Sequence, residues 1–334
     1  MADRIITYRE ALKEALREEM LRDDRIFLLG QDIAGFGGAY KVTEGLFEEF
    51  GARRVKDTPI AEEGIVGAGI GAAMVGLRPV VEIMTINFVL VAFDQIVNNA
   101  AKINYMFGGQ DCVPLVIRTP QGAGHQLGAQ HSQNFDVSFA YVPGLIVATP
   151  AVPADAKGLL KTALRQNNPV VFIENLGLYN TKGPVPEGDY LVPFGKARIA
   201  REGRDLTIVS HSRTVLTAME AANILAKDGI EAEVVDLRTL RPLDVDTIVE
   251  SVRKTNRVVV VGEDWRTFGV GAEIAATIQE FAFDYLDAPV NRVNTAAVPM
   301  PYSKPLETAA LPHPESVVEA ARAILPRRLA SSAR

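Results

Sequence analysis

Apolar and polar positions alternate along this chain between two kinds of period. Short, nearly continuous apolar runs ("RIFLLG", "RPVVEIMT", "PLVIRTP", "GLIVATP", "PVVFIE") predict buried strands, because a strand covered on both faces needs no polar alternation. "RRVKDTP" predicts a further strand. Between them lie segments with helical spacing. "TYREALKEALREEML" opens on Thr7 and Glu10 at the separation of a capping box. "IAEEGIVGAGIGAAMVG" and "FVLVAFDQIVNNAAKINYM" predict helices, and "PADAKGLLKTALRQ" predicts one entered through Pro153.

The alternation breaks at residues 180–195, "NTKGPVPEGDYLVPFG", where Pro and Gly accumulate and no helical period survives, as in a linker. It resumes with the strand "DLTIVS", the helix "RTVLTAMEAANILAKDG" and the strand "EAEVVDL". "DVDTIVESVRKT", "RVVVVGED", the helix after "TFGVGAEI", "APVNRV" and a final helix from about Glu315 complete the second half. The pattern predicts an α/β fold of two domains with mainly parallel sheets: 4–180, a linker over 181–196, and 197–325. "LASSAR" reads as a frayed tail.

Composition narrows the function. The 334 residues suit about two domains at ~150 residues each, and 48% hydrophobic with 23% charged content is ordinary for a soluble globular protein. A net charge of −6, with scattered Lys and Arg, argues against nucleic acid as partner. The single Cys112 allows no internal disulfide and suits a reducing compartment. No apolar stretch approaches the ~20 residues of a membrane span, and the N-terminus shows no signal-peptide core. The expectation is a cytoplasmic protein away from membranes.

One stretch carries a chemical tension. "TPIAEEGIVGAGIGAAMVG" sets Glu62 and Glu63 before Gly64, Gly67, Gly69, Gly71 and Gly76. The spacing is wrong for a dinucleotide fingerprint, and no Gly-Lys-Ser/Thr follows for a phosphate loop. The charge is wrong too: two like charges ~4 Å apart at an effective dielectric of about 20 repel by about 4 kcal/mol. One reading is structural, with small residues allowing close helix packing and first-turn carboxylates complementing the helix dipole. The other is functional, with one carboxylate in an apolar wall of Ile60, Val66 and Ile70 sharing a proton with a buried, nitrogen-containing ring. Spacing leaves both open.

"GAYKVTEGL", "DTPIAEEGIVGAGIGAAMVGLRPVVEIMTINF", "AAKINYMFGG", "AQHSQ", "DAKGLLKTALRQNNPVVFIEN", "VVDLRTLRPLD" and "NTAAVPMPY" occur in order over nearly all of residues 4–325. Together they resemble the beta subunit of the decarboxylating dehydrogenase component of 2-oxo acid dehydrogenase complexes. "EIMTINF" is similar to the pyruvate-acting type, with acetoin and branched-chain relatives as alternatives. The resemblance implies a transketolase-like pyrimidine-binding domain followed by a transketolase C-terminal-like domain. It also implies thiamin diphosphate shared with an alpha subunit in a heterotetramer of two alpha and two beta chains. The family's Gly-Asp-Gly motif, through which the alpha subunit holds the diphosphate and Mg2+, is absent from this sequence. By that reading the chain holds half a site and is inactive alone.

Carried over residue by residue, Glu62 matches the glutamate that hydrogen-bonds the cofactor's aminopyrimidine ring. Ile60, Met84 and Phe88 match positions packing against that ring. His131 matches a residue implicated in acyl transfer to the lipoyl group of the acyltransferase component, and His125 lies in the same loop. Glu63 receives no role, and His211 and His313 are expected to be structural. Asp94 falls near an acidic passage linking the family's two active sites, but Gln31 stands where relatives often carry Glu, so a complete relay does not follow from the resemblance and Asp94 is given no role. The carbonyls of Leu115, Ala163, Leu164, Gln166 and Asn168 resemble a monovalent-cation (K+) site; the same residues also read as a helix C-terminus before Pro169. A non-catalytic docking subunit is the competing class, opposed by the presence of Glu62, Phe88 and His131.

Overall fold

The computed structural model describes residues 4–326; the expected tail, "LASSAR", lies outside them. The chain divides into two compact units, residues 1–122 with 135–194, and residues 123–134 with 195–334.

In the first unit, strands β1 (Arg4–Thr7), β2 (Ile26–Gly30), β3 (Val55–Asp57), β4 (Arg78–Glu82), β5 (Val116–Gln121), β6 (Ile146–Ala148), β7 (Val170–Asn175) and β8 (Lys182–Val185) alternate with helices. Six of them pair in parallel in the order β6-β7-β5-β4-β2-β3. Every residue of β2, β4, β5 and β7 is buried, as expected of apolar runs covered on both faces. The first helix, α1 (Tyr8–Arg22), starts at the predicted capping box: Thr7 Oγ1 accepts from the Glu10 amide at 3.2 Å, and the Glu10 carboxylate accepts from the Thr7 amide at 2.7 Å. Pro153 opens the helix Pro153–Leu164, where its missing N–H costs nothing.

Two expectations need correction. The long helix read from "FVLVAFDQIVNNAAKINYM" is instead a 3₁₀ segment, Ile86–Ala92, a π-helical turn, Gln95–Ala100, and a short α-helix, Ile103–Met106. The Ala101 amide donates to the Ile96 carbonyl at 3.0 Å, the five-residue step of a π turn. Second, residues 182–185 of the expected linker form β8, which pairs antiparallel with β1 from Arg4↔Val185 to Thr7↔Lys182. Pro184 fits there because β8 has only one strand neighbour.

The second unit holds β9 (Arg198–Arg201), β10 (Leu206–Ser210), β11 (Ala232–Asp236), β12 (Thr239–Arg241), β13 (Val258–Trp265) and β14 (Asn291–Thr295). Five of these form a sheet in the order β14-β13-β10-β11-β9, with only the β11–β9 pair antiparallel. Leu206, Ile208, Val234 and Val259 of the strands pack with Ala218, Leu225, Val317 and Ala321 of the helices Thr214–Lys227 and Pro314–Ile324. His211 is buried, and His313 caps the last helix with Ser316. Among the described residues, no helix is long and apolar enough to cross a membrane.

Candidate active site

Helix α2 (Glu62–Met74) begins at Ala61, which offers no side-chain cap, and carries two carboxylates in its first turn, where negative charge complements the helix dipole. They do not share an environment. Glu62 is buried and accepts from Gln31 Nε2 at 3.2 Å, whereas Glu63 is exposed. Gln31 directly follows β2, so Glu62 sits near the carboxyl ends of the parallel strands, where open α/β sheets bind ligands. Gly69 thins the helix where it meets the sheet: a Cβ there would lie 2.7 Å from Val81 Cγ2, while one on Gly71 would meet nothing within 4 Å.

Met84 and Phe88 lie at the strand-to-3₁₀ junction after β4, both half-buried. The Phe88 amide donates to the Thr85 carbonyl at 3.0 Å, fixing the turn that carries the ring. The wall expected around Glu62 is only partly present: Val66 and Ile70 are buried, but Ile60, two residues before the helix, is 82% exposed. Its backbone precedes the helix and turns its side chain away from the core. Asp94 is exposed and accepts from Asn98, and Gln31 bonds Glu62.

Beneath this region lies a buried ionic cluster that periodicity could not show. Arg118, in the middle of β5, bonds both oxygens of Glu174 (2.7 and 2.9 Å) and one of Glu82 (2.7 Å), and Tyr179 donates to Glu174 at 2.7 Å. Complete burial pushes the Glu174 carboxyl above its ordinary range despite Arg118. Burial and the Glu174 charge likewise raise the Tyr179 phenol, which stays protonated and donates. Burial opposes the charge of Arg118, yet Glu174 and Glu82 hold the guanidinium above its usual value. Two carboxylates share one cation, so the cluster is anchored by geometry rather than by charge balance.

Most of the carbonyls expected to hold a monovalent cation are already engaged. Those of Leu164 (2.9 Å) and Gln166 accept from the Arg78 guanidinium, that of Ala163 from the Gln166 amide (3.1 Å), and that of Leu115 from the Val170 amide (2.9 Å). Arg78 thus places a positive charge at this helix C-terminus. Among the described residues, no group of three or more His, Cys, Asp or Glu side chains could hold a metal.

His125 and His131 lie in the segment 123–134, which belongs to the second unit. Both are exposed, and the His131 amide donates to the Gly128 carbonyl at 3.3 Å. The adjacent Ser132 is buried. The segment is held by carboxylates that sequence reasoning missed: Ala123 N–H donates to Glu263 at 2.8 Å, and the Gly124 and Gln126 amides both donate to one oxygen of Glu307 at 2.9 Å. The position of Glu263 in "VVVVGEDW", near the carboxyl end of a predicted parallel strand, is a usable signal. Glu307 has none.

These features define a class, the two-domain chains of transketolase type. The sequence matches the transketolase pyrimidine binding domain over residues 4–182 and the transketolase C-terminal domain over residues 195–317. A solved structure described as "Split gene transketolase, inactive beta4 tetramer" is similar at TM-score 0.79 and 26% identity, covering 96% of this chain and 98% of that one. More particularly, the chain is 53% identical over 319 residues to the pyruvate dehydrogenase E1 component subunit beta of Rickettsia felis, covering 96% of this chain and 98% of the relative. It is 50% identical to the mitochondrial counterpart of Dictyostelium discoideum (98% and 93% covered) and 49% identical to that of Bos taurus (96% and 90%). The chain belongs to the family of pyruvate dehydrogenase E1 beta subunits.

Proposed function

We propose that this chain is the beta half of a thiamin diphosphate enzyme that decarboxylates pyruvate oxidatively and passes the acetyl group to the lipoyl arm of an acyltransferase component. It works in the cytoplasm as a heterotetramer with two alpha chains. The observation that carries the proposal is Glu62, a buried carboxylate at a helix start whose first turn repels phosphate but suits a protonated ring nitrogen. When bound, the cofactor supplies the electron sink for loss of carbon dioxide. This chain's residues do the rest of their half. Glu62 holds a proton at the pyrimidine ring, and Gln31 fixes one of its oxygens. Met84 and Phe88 orient the ring, and Ile60, exposed in the isolated chain, borders it. His131 handles a proton during acyl transfer. The diphosphate and Mg2+ belong to the alpha chain, so the beta chain alone turns nothing over; the solved split-gene transketolase, a tetramer of beta chains, is likewise described as inactive.

The test is Glu62→Gln in the reconstituted tetramer. The amide keeps the size of the side chain and can still meet Gln31, so folding is expected to survive. Decarboxylation is expected to fall by at least about 100-fold, the scale of a lost proton-transfer group. Activity within about twofold of the native tetramer would leave the chain a docking subunit. Pyruvate, acetoin and branched-chain 2-oxo acids offered in parallel decide the substrate.

A further inference from the structure

The segment carrying His125 and His131 has no regular secondary structure of its own, yet its first residues are pinned. Gly124 and Gln126 direct their amides at the same oxygen of Glu307, so the backbone bends around His125. Glu307 is fully buried, and its other oxygen lies 3.5 Å from Lys304 Nζ. Lys304 in turn donates to the Gly124 carbonyl at 3.0 Å, closing a ring of contacts on one peptide. One residue earlier, Ala123 bonds Glu263, whose second oxygen accepts from Arg213 at 3.0 Å. At the far end Asn134 Nδ2 donates to the Glu263 carbonyl at 3.2 Å. Midway, Gly128 has φ +77°, and a Cβ there would lie 2.4 Å from the Tyr302 ring. The loop backbone is therefore fixed at both ends and pressed at its centre, while its histidines stay exposed.

We infer that Glu307 is a positioning residue for acyl transfer: its carboxylate, by gathering the Gly124 and Gln126 amides, sets the loop that presents His131. This rests on the role proposed for His131. A charged acceptor suits the task, because hydrogen bonds to a carboxylate are shorter and stronger than those to a neutral oxygen. A buried acceptor suits it too, since the Glu307 carboxylate is itself shielded from competing water.

The experiment uses the reconstituted tetramer with Glu307→Asp, Glu307→Ala and Glu307→Gln. It measures three things: amide hydrogen exchange at Gly124 and Gln126, decarboxylation with a dye acceptor, and acetylation of a lipoyl domain. Asp keeps the charge but is one methylene too short to hold both amides. Asp and Ala are expected to speed exchange at both amides and cut lipoyl acetylation by at least about tenfold, with decarboxylation within about twofold. Gln, which still offers an oxygen at the right distance, is expected to restore most of the transfer. Unchanged exchange, or equal loss of both reactions, would overturn the inference. His131→Ala in the same assay separates the two ideas. If it leaves acetylation intact, the role of His131 fails, while exchange in the Glu307 variants still decides whether the clamp exists.

Discussion

The glycine run can be tested by placing one substitution at two points of one helix. Gly69→Ala puts a methyl group 2.7 Å from Val81 Cγ2 and 3.2 Å from Leu115 Cδ1. Both neighbours are fully buried, and the short, branched Val81 cannot swing aside. Overpacking of this kind costs roughly 1–3 kcal/mol, against a helix-propensity gain of about 1 kcal/mol for replacing glycine by alanine. The net expectation is a loss of up to ~2 kcal/mol. Gly71→Ala meets no atom within 4 Å and lies on the exposed side of the same helix. It keeps the gain alone, roughly 0.5–1 kcal/mol. Thermal unfolding of the purified chain, before any partner is added, should show midpoints displaced in opposite directions. At about 2–4 °C per kcal/mol for a unit of this size, the gap between the two variants is measurable. If Gly69→Ala unfolds at or above the native midpoint, the glycines are not there to let the helix close on the sheet.

Arg118→Met should destabilise the first unit by about 3–5 kcal/mol, read from the denaturant midpoint, because it leaves Glu82 and Glu174 buried without their cation. Stability close to native would mean the cluster is not held by that ion pair. Asp23 bonds the Arg25 side chain, which holds its carboxyl down to about 2. A carboxylate lowered on folding adds stability that is complete above about pH 4 and fades as the pH falls towards 2, once both states are protonated. Arg25→Ala should bring the Asp23 midpoint, followed by NMR, back towards the ordinary value near ~3.9, and an unmoved midpoint would assign the depression to another group.

Local signals in the sequence sufficed wherever one residue's neighbours along the chain decided its structure. The capping box at Thr7 and Glu10, Pro153 at a helix start and the doubly covered strands all formed as read. Failures came where distant residues decided. β1 and β8 are four residues each and pair across nearly the whole first unit, so neither carries a local signature. The apolar spacing of residues 88–106 suits a helix, but Asn98 and Asn99 bond side chains four residues back and the backbone widens into a π turn, which apolar spacing does not report. In the site, burial separated Glu62 from Glu63, a distinction that two adjacent glutamates cannot show in sequence. The Glu307 acceptor of the histidine loop was hidden for the same reason: it lies some 180 residues from the amides it binds.

That separation also sets an order of events during synthesis. The chain passes through residues 123–134 before it makes most of the first unit's last strands, yet the acceptors for this segment, Glu263 and Glu307, emerge last. Until residue 307 has left the ribosome, the Gly124 and Gln126 amides lack the carboxylate they bond in the folded chain. A truncated chain could complete the parallel sheet of its first unit and still lack an ordered histidine loop. The order of the histidine loop is thereby tied to side chains encoded far downstream of it, so its amides find their acceptors only after residue 307 has been made.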